Sequence, residues 1–188
     1  VTSPVTVRAL DVALNNGRKE VAFIDTGVTD YQTLVDGISA GVEVVLLDAG
    51  QDGLAQMALW AQSHSGYDAI HVLSHGTSSE LQLGNTILNN NNINTFAINA
   101  KLSLIGKSLT SDGDLLLYGC NVASDDEGQR FIKNLCNVTG ADISASIDST
   151  GIERRGGDWE LEYSFGYTHG SLSPILNFNN ILALNTSQ

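Results

Sequence analysis

Four apolar runs, each ending in a polar or glycine-bearing loop, set the rhythm of this chain. Val21-Ala-Phe-Ile-Asp25 stops at Thr-Gly, Val42 to Leu47 at Asp48-Ala-Gly, Ala69-Ile-His-Val-Leu73 at Ser-His-Gly, and Asp114-Leu-Leu-Leu-Tyr118 at Gly-Cys. Short continuous apolar runs bounded by turn residues predict strands buried on both faces of a sheet. Between them apolar residues recur at helical spacing. Tyr31, Leu34, Val35 and Ile38 follow a capping Asp30 and precede Gly41; Leu54, Met57, Ala58 and Ala61 repeat the spacing, as do Ile98, Leu102, Ile105 and Leu109. Ser124 and Glu127 have the S-x-x-E spacing of a capping box ahead of the stripe Phe131, Ile132, Leu135 and Cys136, which Gly140 terminates. Ala141 to Ile147 predicts a fifth strand, and the alternation from Trp159 to Phe165 a half-exposed sixth. Strands alternating with helices give an α/β fold, a parallel sheet covered on both faces with right-handed crossovers.

The remaining segments read as connections. Leu81 to Leu88 turns at Gly84-Asn85 and predicts a small surface hairpin. The asparagine-rich stretch Asn89 to Asn94 predicts a loop, and Asp148 to Asp158, with Arg154-Arg155 and Gly156-Gly157, a mobile one. The tail after Ser171 is rich in asparagine and reads as a linker. The chain thus divides into an N-terminal extension (1–19), one folded domain (20–175) and a C-terminal linker (176–188), without internal repeats.

Composition narrows the partners. With 188 residues, 42% hydrophobic and 16% charged, the chain can bury a full core as one domain. A net charge of −12 repels phosphate backbones and anionic membrane surfaces, which excludes nucleic acid as an expected partner. The longest apolar run is broken by Glu43 and falls far short of the roughly 20 residues of a membrane span. Val-Thr-Ser-Pro at the start has neither a basic region nor an apolar h-region, so no signal peptide is visible, and the missing Met suggests an excised piece. Two cysteines and four histidines are too few for a disulfide scaffold or a zinc site, so no metal is expected to be required. Asp48 and Asp52 read as turn and cap residues, with calcium as the alternative occupant of their loop.

Chemistry is expected where parallel strands end, because ligands of open parallel sheets bind outside the carboxyl ends. The third strand delivers Ser74-His75-Gly76 and the fourth delivers Gly119-Cys120. Neighbouring strands would bring imidazole and thiol together, so that His75 lowers the thiol's pKa or takes its proton during attack. The amides of Gly76 and Cys120 then form the expected oxyanion hole, and Gly76 lets a substrate backbone approach. The alternative for Cys120 is a buried structural thiol. Cys136 sits on a helix stripe and reads as core, His71 as a hydrogen-bonded core residue, and His64 as solvated; His169-Gly170 repeats the dipeptide but follows no buried strand.

Val72-Leu-Ser-His-Gly76 and Leu116-Leu-Tyr-Gly-Cys-Asn-Val122, each with its apolar strand, resemble the clan CD cysteine peptidases that include caspases, gingipains and clostripain. Adding Phe23-Ile-Asp-Thr-Gly27 and Gly156-Gly-Asp-Trp-Glu160, the chain most resembles the DUF4347-type domain of large bacterial surface and adhesin proteins, over roughly residues 20 to 175. The resemblance implies a three-layer α/β/α caspase-like fold with a mainly parallel six-stranded sheet. It also implies a cysteine endopeptidase acting on a protein or peptide substrate, including its own polypeptide, in a secreted or cell-surface setting; the alternative is an inactive module with a structural or adhesion role. Clan members build the pocket for the residue before the scissile bond from the first strand's end, positions near the Cys, and the loop after the fifth strand. Here those positions hold Asp25, Tyr118 and Asp148, which would favour a basic side chain, and Arg154-Arg155 is the internal candidate for self-cleavage. The chain lacks both Gln-Ala-Cys-Arg-Gly and a metacaspase-type Asp before the Cys.

Overall fold

The computed structural model describes residues 1–184. Along the chain come β1 (Val5–Arg8), β2 (Glu20–Asp25), α1 (Tyr31–Gly37), β3 (Glu43–Leu47), α2 (Gly53–Ala61) and β4 (Tyr67–Leu73). A small antiparallel excursion of β5 (Gly76–Thr77), β6 (Glu80–Leu83) and β7 (Thr86–Asn89) leads into α3 (Phe96–Lys107) and β8 (Leu109–Tyr118). Then follow α4 (Asp126–Thr139), β9 (Asp142–Ala145), β10 (Ser149–Thr150), β11 (Gly157–Asp158) and β12 (Tyr163–Phe165).

The principal sheet has seven strands in the order β1-β3-β2-β4-β8-β9-β12. The five inner strands run parallel, and β1 and β12 close the two edges antiparallel. The expected six strands become seven because the N-terminal segment contributes β1, held by Arg8, whose guanidinium donates to the carbonyls of Ile38, Ser39 and Val42. The sixth expected strand shrinks to Tyr163–Phe165. Trp159 leaves the alternation and is buried between Tyr118 and Phe178, with ring centroids 6.2 and 6.0 Å away.

Alternate residues of each inner strand enter two separate apolar clusters. Val21, Phe23, Val45, Ile70, Val72, Leu115 and Leu117 face one side; Ala22, Ile24, Val44, Ala69, Leu73, Leu116 and Tyr118 face the other. The first face is covered by α2, α3 and α4 and by the β6–β7 hairpin, whose Leu81, Leu83 and Leu88 are buried. That hairpin is therefore core rather than a surface excursion. The second face is covered by α1 and by the C-terminal segment, whose Leu172, Ile175, Phe178 and Leu182 are buried. The expected linker is thus, through residue 184, packed structure; its residues 185–188 lie outside the described residues.

Two local expectations shift. The N-cap of α4 is Asp125, whose carboxylate accepts from Gly128 N at 2.8 Å, one residue after the expected Ser124. Asp30 precedes α1 with φ +64° and accepts from the Thr33 hydroxyl at 2.9 Å instead of capping a backbone amide. No helix among the described residues is long and apolar enough to cross a membrane.

Candidate active site

Strands β4 and β8 are paired in parallel, with Leu73 opposite Tyr118, so His75 and Cys120 each lie two residues beyond the last rung of the same ladder. The loops that carry them pack tightly. A Cβ on Gly76 would lie 2.7 Å from a Val122 methyl and 3.2 Å from Gly119, so this glycine is required by the loop-to-loop contact. That physical reason differs from the expected one, room for a substrate.

The Cys120 thiol is fully buried, and its partners are backbone groups of Thr150: the amide donates to Sγ at 3.2 Å, and Sγ lies 3.6 Å from the carbonyl oxygen. Burial pushes the thiol's pKa up, against hydrogen bonds to the Thr150 and Leu182 backbone and to Ser149, while the charge of Asp148 adds to the rise. His75 is half-buried; its Nδ1 is enclosed without a hydrogen-bond partner among the described residues. Cys136 is half-buried on α4 and free, so the two cysteines form no disulfide.

The amides of Gly76 and Cys120 converge on one acceptor. Both donate to the carbonyl oxygen of Leu182, at 2.9 and 3.2 Å. Around that oxygen the C-terminal segment lies in a groove. Leu182 N donates to Thr150 O at 2.8 Å and Ile152 N to Asn180 O at 2.9 Å, which sets the segment antiparallel to residues 150–152, with Gly151 opposite Ile181. Beyond Leu182, Leu184 N donates to Gly76 O at 3.0 Å, and Ala183 bridges Gly76 in parallel sense. Gly151 makes this approach possible: its φ is +136°, and a Cβ there would sit 2.3 Å from Asn180 O.

The three acid and phenol positions expected to line a substrate pocket have other partners. Asp25 is buried, and its two carboxylate oxygens accept from Gly27 N and Gly84 N, each at 2.8 Å. It ties the β2 loop to the hairpin from a buried position that is nearly closed to solvent. The Tyr118 hydroxyl accepts from Leu172 N at 2.7 Å, and burial raises its pKa. Asp148 accepts from Ser146 Oγ at 3.1 Å, and its carbonyl takes the Asn121 amide at 2.7 Å. Asp48 accepts from Gly50 N and Gln51, and Asp52 caps α2 and pairs with Lys101 at 3.2 Å. Asp148, Asp158 and Glu162 bring one carboxylate oxygen each within 4.8 Å of one another, the grouping among the described residues that could hold a cation.

Of the other histidines, His71 is a buried partner of Glu20 at 2.8 Å, His64 stacks on Trp60 with centroids 4.2 Å apart, and His169 lies 3.1 Å from buried Asp114. A cavity of about 590 Å³ is lined by His75, Gln82, Arg155, Ile181, Ala183 and Leu184 among others. A larger one of about 920 Å³ lies between the 151–161 loop and the C-terminal segment, beside Trp159 and Phe178; Cys120 lines neither cavity, and His75 lines the smaller. Sequence reasoning missed Thr150, Gly151 and Leu182. The available signal was the apolar series Leu172, Ile175, Phe178 and Leu182, obscured by intervening asparagines.

Residues 21–179 match the family described as a domain of unknown function (DUF4347). No curated protein matches the chain.

Proposed function

The chain belongs to the DUF4347 family, and on that footing we propose that it is a cysteine endopeptidase with a caspase-like, clan CD layout, using Cys120 as nucleophile and His75 as proton carrier. The supporting observation is the convergence of the Gly76 and Cys120 amides on a single carbonyl oxygen. Two backbone donors on one peptide oxygen, one of them the amide of the nucleophile itself, is the arrangement that stabilises a tetrahedral oxyanion in acyl transfer. In this reading the thiol proton passes to His75, sulfur attacks the peptide carbon, and the imidazolium returns the proton to the departing amine. The substrate is a protein or peptide, and the setting a large bacterial surface protein; the latter rests on sequence resemblance alone.

A catalytically inactive module of the same layout, with a structural or adhesion role, is the second reading. It is favoured by the burial of Cys120 and by hydrogen bonds that direct its sulfur to Thr150. A peptidyl acyloxymethyl ketone separates the two: the peptidase alkylates at Cys120, and the reaction is lost in His75→Ala. Labelling that is absent, or indifferent to His75, rejects the peptidase in favour of the inactive module.

A further inference from the structure

We infer that the substrate of this site is the chain's own Leu182–Ala183 peptide bond, taken in an apolar slot that selects leucine or a similar side chain before the scissile bond. The inference rests on the peptidase reading above and adds to it the bond and its specificity.

Both sides of that bond are gripped by backbone hydrogen bonds. Before it, Asn180 and Leu182 pair antiparallel with Ile152 and Thr150; after it, Leu184 pairs with Gly76. An extended peptide added to a strand edge gains affinity from its main chain and specificity from alternate side chains. A segment serving only as cover for the sheet needs neither this register nor a carbonyl oxygen placed between the Gly76 and Cys120 amides. The Leu182 side chain is fully buried in the apolar cluster that also holds Tyr118, Cys120, Trp159 and Phe178. Asp25, the acid expected to receive a basic residue, spends both oxygens on backbone amides. Ala183, on the leaving side, lines the same cavity as His75. Arg155 lines that cavity too, but the carbonyl held by the two amides belongs to Leu182, so the Arg154-Arg155 turn is not the bond selected.

The reaction balances with water as the one co-reactant. The Cys120 proton goes to His75, an S–C bond forms to the Leu182 carbonyl carbon, and the C–N bond to Ala183 breaks as His75 protonates the amine. Water then hydrolyses the thioester, leaving a Leu182 carboxylate and restoring the thiol.

The test follows intact mass and new amino termini in the purified chain, in Cys120→Ala, in Leu182→Met and in Leu182→Lys. Expected is a fragment beginning at Ala183, released at a rate independent of protein concentration. It should be absent in Cys120→Ala, kept in Leu182→Met and slowed about tenfold or more in Leu182→Lys, whose charge does not fit the slot. A chain that stays joined at 182–183 while Cys120 still alkylates in a His75-dependent manner overturns this assignment and leaves the peptidase reading standing. A Cys120-dependent cut at another bond does the same. An intact chain whose Cys120 shows no His75-dependent alkylation overturns both.

Discussion

Cys120 is held neutral by its surroundings, because burial costs the charged form more than the neighbouring hydrogen bonds return. A raised pKa means less thiolate at neutral pH, so with the C-terminal segment docked, iodoacetamide should modify Cys120 slowly at pH 7. The rate should climb only above the ordinary thiol range near pH ~8.5. Peptide mapping distinguishes Cys120 from Cys136, and rapid modification of Cys120 below pH 7 would contradict this account. A second charge is set in the opposite direction. Burial works to raise the Glu20 pKa, but the hydrogen bond and charge of His71, with Asn15 and Arg18, bring it down from 4.5 to about 2. A depressed carboxylate contributes stability above its unfolded pKa and loses it as pH falls through the folded value. Glu20→Gln should therefore lower stability by roughly 1.5–3 kcal/mol at pH 7, the range for hydrogen bonds to charged groups. The deficit should shrink between pH 4.5 and 2, as read by urea midpoints at each pH. A deficit independent of pH would assign the loss to packing.

Individual elements show what a sequence can and cannot reveal. The inner strands were legible because β2, β3, β4 and β8 are apolar on both faces, and no other short element has that pattern. The α4 cap was legible to within one residue: Ser124 and Asp125 are both cap formers, and only the backbone turn decides between them. Asp125→Ala should accordingly cost about 1 kcal/mol in urea unfolding and Ser124→Ala close to nothing; the reverse order would restore the capping box. The placement of His75 and Cys120 on adjacent loops was legible because each follows a buried apolar run, and the two runs pair in parallel. The groove that faces them was not, since Thr150 to Ile152 is too short to show a period and the apolar run Ile181 to Leu184 lies in an asparagine-rich tail. The structure shows why they are needed: the seven residues of α1 include one buried position, Leu34, too little to cover a broad sheet face. The C-terminal segment supplies the missing cover. Phe178→Ala should consequently cost about 3–5 kcal/mol, a core penalty, where a true linker residue would cost nothing measurable.

At the scale of the whole molecule, that cover joins the fold to the site. The segment that buries Leu172, Ile175 and Phe178 against the sheet ends as the strand that occupies the Gly76 and Cys120 amides. Loosening the one must therefore expose the other, whereas the face covered by α2, α3 and α4 is independent of it. Elements that guard a site in this way open at lower free energy than the core they cover. Gly151 is the position at which to test the coupling. Alanine there meets Asn180 O at 2.3 Å and inherits a φ of +136°, so the 180–184 strand must lift while Leu182 loses its partner at Thr150. Hydrogen exchange at the Leu182 and Ile152 amides should then accelerate and Cys120 should react faster with iodoacetamide, with amides of β4 and β8 remaining protected. Phe178→Ala should produce the same pair of effects by removing packing from the buried cluster that holds the segment. If the amides open in both variants and the thiol stays slow, the strand does not shield Cys120, and its low reactivity belongs to the β8 loop alone.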